Sequence, residues 1–157
     1  METGEILLKG PNLLYQYYGT DIPAYKDGWF FTGDLGYINQ DGYLSIAGRK
    51  KDMINRGGEK ICSYDVENVI YTMPQVEEAA IIGVPDEVYG EVAAAAIVLK
   101  PGFTLTLQEL KVYLSDKLAK YKIPVYLKIL PSLPVTPNHK TDKKAIKELF
   151  HNRLSES

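Results

Sequence analysis

The chain changes pattern between Gly48 and Asp52, and that break limits the folds open to it more than any other feature. Upstream, apolar residues come in short runs cut by turn formers. Glu5–Lys9 predicts a strand closed by Gly10-Pro11, since proline lacks a backbone donor and glycine admits turn geometry. Leu35–Asn39 and Tyr43–Ala47 alternate about Asn39-Gln40-Asp41-Gly42, which predicts a β-hairpin. No helix of useful length is expected before residue 60.

Downstream, helical and strand periods alternate. Met53–Asn55 predicts a short strand and Arg56-Gly57-Gly58-Glu59 a loop. Ser63 is placed to N-cap a helix from Tyr64 to about Met73, with Val66, Val69 and Ile70 on one face and Pro74 as its end. Val76–Val84 and Val92–Leu99 predict strands separated by Pro85–Gly90. Thr106-Leu107-Gln108-Glu109 is a capping box opening a helix to about Lys120, striped by Leu110, Tyr113, Leu114 and Leu118. Val125–Leu130 predicts a strand. Pro131, Pro134 and Pro137 then keep the chain extended, and a last helix covers about Asp142 to Phe150. The expected fold class is α+β. Residues 1–50 are a small all-β fragment, and 51–150 a compact unit with a roughly three-stranded sheet flanked by three helices. Residues 151–157 are a fraying tail.

The 157 residues suffice for one ordinary domain, and 45% hydrophobic content is normal for a packed core. A net charge of −2 gives no electrostatic case for nucleic acid or a membrane surface. The longest apolar run, Val92–Leu99, is far short of the ~20 residues a membrane helix needs. The single cysteine, Cys62, excludes an internal disulfide and suits a reducing cytoplasm. With no clear cationic cluster around it, Cys62 reads as a structural thiol. There is no Cys/His cluster with metal-ligand spacing and no Gly-x-x-x-x-Gly-Lys-[Ser/Thr] loop.

Several polar residues sit on glycine-bracketed turns. Asp34 follows Thr32-Gly33, and a carboxylate there accepts two hydrogen bonds from adjacent hydroxyls or caps a turn. Arg49 follows Gly48, with planar paired donors suited to phosphate or sugar oxygens, or simply to solvent. Lys51 lies in a basic turn. Gly57-Gly58 permits positive φ and close backbone approach, and read alone is a plain turn. Tyr89 stands in a loop before Gly90-Glu91, and Tyr121 before Lys122-Ile123-Pro124; each offers a flat ring for stacking or a packing surface. Lys140 ends the stretch Leu133-Pro134-Val135-Thr136-Pro137-Asn138-His139-Lys140. His139 and His151 read as solvated.

The segments Asp27–Gly36, Gly42–Asp52 and Leu133–Lys140, taken in order, resemble the adenylate-forming acyl-CoA synthetases. That superfamily includes acyl-CoA ligases, peptide-synthetase adenylation domains and luciferase. The resemblance covers nearly the whole chain. It implies that residues 1–50 end a β-barrel subdomain and that 51–150 form a mobile lid domain. It implies ribose binding at Asp34, phosphate or ribose contact at Arg49 and a hinge at Lys51. The Gly57-Gly58 loop would line the pantetheine tunnel, Tyr89 would stack on the adenine of CoA, and Tyr121 would wall the nucleotide or simply pack. Glu67 matches an acidic family position and reads as structural. Lys140 would bridge carboxylate and phosphate oxygens during adenylate formation. The usual motif, Pro-x-Thr-x-x-Gly-Lys, has glycine where this chain has His139, one of the residues that tolerates positive φ less poorly.

The family's phosphate loop and its Tyr-Gly-x-Thr-Glu segment are not in this sequence. The resemblance therefore implies the C-terminal portion of such an enzyme, inactive alone. Its partners would be an N-terminal adenylation domain, a carboxylic acid and CoA; its cofactors ATP/AMP and Mg²⁺, the metal's ligands lying in that other domain. The alternatives are a carrier-protein-charging adenylation domain and a non-catalytic interaction fragment. Bare apolar surface around Trp29-Phe30-Phe31 suggests self-association through residues 1–50.

Overall fold

The computed structural model describes residues 3–13 and 25–154, with side chains described up to Phe150. The chain divides into two units, Met1–Lys51 and Asp52–Ser157.

The first unit is an antiparallel sheet around one long strand. Strand β1 spans Gly4–Leu8, β2 Tyr25–Lys26, β3 Trp29–Ile38 and β4 Leu44–Arg49. β1 pairs with one edge of β3, while β2 and β4 share the other edge. β3 begins at Trp29, well before the expected Leu35, because its N-terminal half is paired by β1 and β2. The turn before β4 forms as its residues dictate. Asn39 Oδ1 accepts from the amides of Asp41 and Tyr43 at 3.0 and 2.9 Å, and Gly42 takes a φ of 82°.

The second unit is built on the hairpin of β7 and β8. A 3₁₀ turn, Lys50–Asp52, leads into β5 (Met53–Arg56) and β6 (Glu59–Cys62), then α1 (Ser63–Tyr71), β7 (Val76–Asp86) and β8 (Gly90–Leu99). Helix α2 (Leu107–Ser115) and a 3₁₀ turn at Lys120–Lys122 lead to β9 (Tyr126–Ile129), and α3 (Lys143–Leu154) closes the unit. The sheet runs β6-β5-β8-β7, with β9 parallel to β8. The β7, β8 and β9 strands are the three main ones expected, β5 is the short strand expected at Met53–Asn55, and β6 is the addition.

Strand side chains alternate between faces. In β8 this alternation sends Ala93, Ala95 and Ile97 to one core and Val92, Ala94, Ala96 and Val98 to the other. The first core takes Val66 and Ile70 of α1 and Leu110 and Leu114 of α2. The second takes Leu133 and, from α3, Ile146 and Phe150. Both faces of the central strand are thus covered, which explains its unbroken apolar run. Each fully buried Ile or Leu contributes about 1.5–3 kcal/mol.

Several element ends differ from the sequence pattern. Cys62, not Ser63, occupies the N-cap of α1; Ser63 is already helical and 4% exposed. α1 stops at Tyr71, where Thr72 Oγ1 donates back to the Val69 carbonyl at 2.6 Å. α2 ends at Ser115 rather than near Lys120, and Ser115 Oγ likewise donates to the Val112 carbonyl at 2.8 Å. Leu118 still packs against the first core, but from a turn. The strands β7 and β8 extend into the expected Pro85–Gly90 loop, leaving Glu87–Tyr89 as the link. There Asp86 Oδ1 accepts from the amides of Val88 and Tyr89. α3 continues to Leu154, past the expected Phe150, and residues 155–157 of the expected tail lie outside the described residues. No helix among the described residues is long and apolar enough to cross a membrane.

The capping box forms as read: Thr106 Oγ1 accepts from the Glu109 amide at 3.2 Å, and Glu109 Oε2 accepts from the Thr106 amide at 2.7 Å. The Thr106 hydroxyl, which donates to the same carboxylate, and then the Thr106 amide hold Glu109 below the ordinary glutamate range. A depressed folded value means that this contribution is complete above the unfolded pKa and is lost as pH falls through the folded one. In a carbon-detected NMR titration, Glu109 is expected to titrate below an ordinary glutamate, and Thr106→Ala to return its midpoint upward. An unchanged midpoint in that variant would contradict the assignment.

Candidate functional site

In the first unit, Asp34 and Arg49 meet across the β3–β4 ladder. They are register partners, and Arg49 Nε stands 2.8 Å from Asp34 Oδ1. Gly33, at a φ of 72°, kinks β3 just before Asp34. Thr32 Oγ1 accepts from the Asp34 amide at 3.0 Å and donates to the Ile6 carbonyl at 2.8 Å, so the kink is held from both sides. The guanidinium is half exposed, and an ion pair of this kind contributes no more than about 1 kcal/mol to stability. The pair is better suited to orienting donors and acceptors at a surface than to holding the sheet together. Lys50 follows, its Nζ 2.7 Å from Glu5 Oε2, and Lys51 sits exposed in the 3₁₀ turn at the unit boundary.

In the second unit the Gly57-Gly58 loop and Tyr89 come together. Gly57 and Gly58 have φ values of 56° and 94°, the tight two-residue turn that joins twisted strands. The Gly57 amide donates to the Tyr89 carbonyl at 2.8 Å, and a methyl group on Gly57 would stand 3.2 Å from Tyr89 Cδ1. The Arg56 guanidinium lies over the Tyr89 ring, 3.7 Å from its centroid. Sequence reasoning paired neither Arg56 with Tyr89 nor the two turns. The signal was present only as two glycine-bearing turns, at Gly57 and Gly90, far apart in the chain. Arg56 also lines a cleft of about 590 Å³ with Lys111 and Lys120, and no carboxylate is among its described lining residues.

Lys140 stands on a separate short hairpin. Val135 and Thr141 form a bridge, the Thr136 amide donates to the Lys140 carbonyl at 2.7 Å, and the Lys140 amide donates to Thr136 Oγ1 at 3.2 Å. The arm is therefore a fastened turn rather than only an extended proline-rich strand. His139, at a φ of 57°, occupies the left-handed position. Lys140 is exposed.

The remaining residues are accounted for by packing. Tyr121 is partly buried against the first core. Glu67 Oε1 accepts from the Ile81 amide at 2.8 Å and from Lys143 Nζ at 2.7 Å. Cys62 is half buried, and burial pushes its thiol pKa up, which disfavours a nucleophilic thiolate. The side chain of His151 lies outside the described residues. No group of three or more His, Cys, Asp or Glu side chains among the described residues is arranged to hold a metal ion.

A mixed sheet covered on both faces, with a lysine carried on a fastened hairpin beside its last helix, defines the class. Residues 65–140, ending on that lysine, match the AMP-binding enzyme C-terminal domain. That part of the chain belongs to this domain family. It is 44% identical over 154 residues to a probable acyl-activating enzyme of Arabidopsis thaliana, covering 95% of this chain and 28% of that protein. It is 38% identical over 150 residues to an oxalate–CoA ligase of the same plant, covering 94% and 29%. Among solved structures, o-succinylbenzoate CoA synthetase of Bacillus subtilis, bound to its acyl-adenylate intermediate, superposes with a TM-score of 0.85 at 37% identity, covering 93% of this chain and 30% of that one. The chain thus spans under a third of the length of these relatives.

The left-handed turn at His139 has a measurable cost. A left-handed residue other than glycine costs about 1–2 kcal/mol, partly offset in a comparison with glycine by the latter's greater unfolded-state entropy. His139→Gly is expected to leave stability unchanged or raise it by up to about 1 kcal/mol, and His139→Val, with its branched Cβ, to lower it by about 1–2 kcal/mol. Urea midpoints of the two variants check this; equal midpoints would remove the left-handed assignment.

Proposed function

We propose that this chain is the hinge-and-lid portion of an AMP-forming acyl-CoA synthetase of the cytoplasm. Such an enzyme joins a carboxylic acid, ATP and CoA into acyl-CoA, AMP and pyrophosphate. The observation that carries the reading is the exposed Lys140 on its fastened hairpin, at the end of the matched family domain. The names of the relatives, acyl-activating enzymes and CoA ligases, support it.

The chemistry has two steps. A carboxylate oxygen attacks the α-phosphorus, a new P–O bond forms, and pyrophosphate leaves. Negative charge concentrates on the reacting oxygens, and the Lys140 ammonium lowers that barrier without needing to transfer a proton. In the second step a thiolate sulfur attacks the acyl carbon and AMP leaves. The Asp34 carboxylate and Arg49 guanidinium serve the ribose and phosphate oxygens of the nucleotide. Lys51, exposed in the 3₁₀ turn, is the hinge about which the lid exchanges Lys140 for the Gly57-Gly58 loop. An N-terminal adenylation domain outside this chain supplies the acid pocket and the ligands of Mg²⁺.

The acceptor is CoA rather than a carrier protein. Three cations, Arg56, Lys111 and Lys120, around one cleft suit a polyanionic nucleotide head, and Arg56 lies on Tyr89, whose ring is exposed for stacking on adenine. A carrier-bound pantetheine brings only one phosphate to such a surface. Trp29 and Phe31, each about 40% exposed, belong to apolar surface that the adenylation domain would cover, and through it the isolated chain self-associates.

In the full-length protein, Lys140→Ala is expected to lower pyrophosphate release by about 10²–10³-fold, the usual effect of deleting one charge-stabilising donor. Thioester formation from preformed acyl-adenylate should fall far less. Equal pyrophosphate release in variant and parent would overturn the reading. The 157-residue chain by itself is expected to form no acyl-CoA, which a direct assay with acid, ATP and CoA checks.

A further inference from the structure

Lys143 lies three residues beyond Lys140, at the first residue of α3. Its Nζ donates to Ser63 Oγ at 2.8 Å, to Glu67 Oε1 at 2.7 Å and to the Ile81 carbonyl at 3.1 Å. An ammonium has three protons and no acceptor, so this set satisfies it completely. The acceptors come from α1 and β7, which lie some sixty to eighty residues earlier in the chain. Glu67 Oε1 also takes the Ile81 amide at 2.8 Å, so carboxylate, strand peptide and amine form one connected polar cluster between α1, β7 and α3.

This cluster does something that the apolar underside of α3 cannot. Ile146 and Phe150 bury area, but the hydrophobic effect is non-directional. Farther along the helix Lys128 Nζ donates to the Leu149 carbonyl at 2.6 Å and Lys147 Nζ lies 3.3 Å from Glu91 Oε1, so the Lys143 cluster is the polar tie at the helix start, next to the hairpin. Three charge-assisted hydrogen bonds converging on one nitrogen fix a point. The two residues between that point and Lys140 are themselves tied. Thr141 bridges Val135, and the Asp142 amide donates to the Pro134 carbonyl at 2.8 Å. Asp142 Oδ1 accepts from the amides of Lys144 and Ala145 at 3.1 and 3.0 Å, which locks the start of the helix. The other stem of the hairpin is anchored by Leu133, buried in the second core.

We infer that Lys143 is a positioning residue for Lys140: its clamp on Ser63, Glu67 and Ile81 fixes the base of the hairpin and so the direction in which the turn at His139 projects the amine. The functional meaning rests on the proposed role of Lys140, but the mechanical link does not.

The test uses the ¹⁵N-labelled 157-residue chain. Lys143→Met keeps most of the aliphatic stem and removes the donors; Lys143→Arg keeps charge and donors; Ile146→Val weakens the packing of α3 without touching the cluster. Backbone order parameters at 138–141 are expected to fall from the rigid range, about 0.85, to below about 0.6 in Lys143→Met. They should stay near parent values in Lys143→Arg and Ile146→Val. Should Lys143→Met not fold, Glu67→Gln, which keeps an acceptor for the Ile81 amide, is expected to loosen the same residues by a smaller amount. Unchanged order parameters in Lys143→Met or, if that variant does not fold, in Glu67→Gln would overturn the inference. So would equal loosening in Ile146→Val. In the full-length protein, Lys143→Met should lower the kcat of pyrophosphate release with little change in KM, and Lys143→Arg should restore it. A loosened hairpin in an enzyme indifferent to Lys140→Ala would sink the catalytic reading and leave the mechanical link standing.

Discussion

The ladder between β7 and β8 is the constraint on which the second unit depends. Ten register pairs run from Val76–Leu99 to Asp86–Gly90. Both faces of β8 are sealed from water, so its peptide groups have no solvent to fall back on and must be paired in the sheet. The ladder meets that demand, and small side chains at 93–96 let apolar layers close on both sides. One end of the ladder is also where the candidate chemistry gathers. The turn after Asp86 presents Tyr89, and β8 begins at Gly90, the register partner of Arg56. The surface proposed to face a nucleotide therefore adjoins this long ladder rather than a loose loop.

Much of this was legible in the chain because local and tertiary demands agree. The capping box at Thr106 and Glu109 is a local motif, complete within four residues, and it forms as read. So does the Asn39–Gly42 turn. The helix ends were less legible because serine and threonine hydroxyls compete for the last carbonyls, as Thr72 and Ser115 do. Nothing in a helical period reports that competition. The extension of β3 to Trp29 depends on pairing with β1 and β2, and pairing partners are not encoded within a strand.

The candidate site divides in the same way. Glycine-bracketed Asp34 and Arg49 could be singled out, but that they are register partners follows only from the β3–β4 hairpin. Tyr89 and Gly57 could each be singled out; their hydrogen bond follows only from the β5–β8 contact. Lys143 carried no signal at all. It sits in a run of charged residues where the expectation is a solvated helix face, and only the fold brings Ser63, Glu67 and Ile81 under it.

The contrast between the two lysines explains how one hairpin can be both fixed and available. Lys140 is exposed, and its backbone is bonded within its own turn. Lys143 spends its charge inside the unit. A cation meant to meet a developing negative charge gains most when it is already aimed, because reorganisation at the moment of reaction then costs little. In the proposed two-step cycle the amine leaves the cleft before the second reaction, so it cannot be anchored by its own side chain. Fixing the peptide on which it stands, through a neighbour three residues away, meets both requirements. On this proposal the direction of the amine is set within the second unit, and its place in the cleft is left to the movement of that unit as a whole.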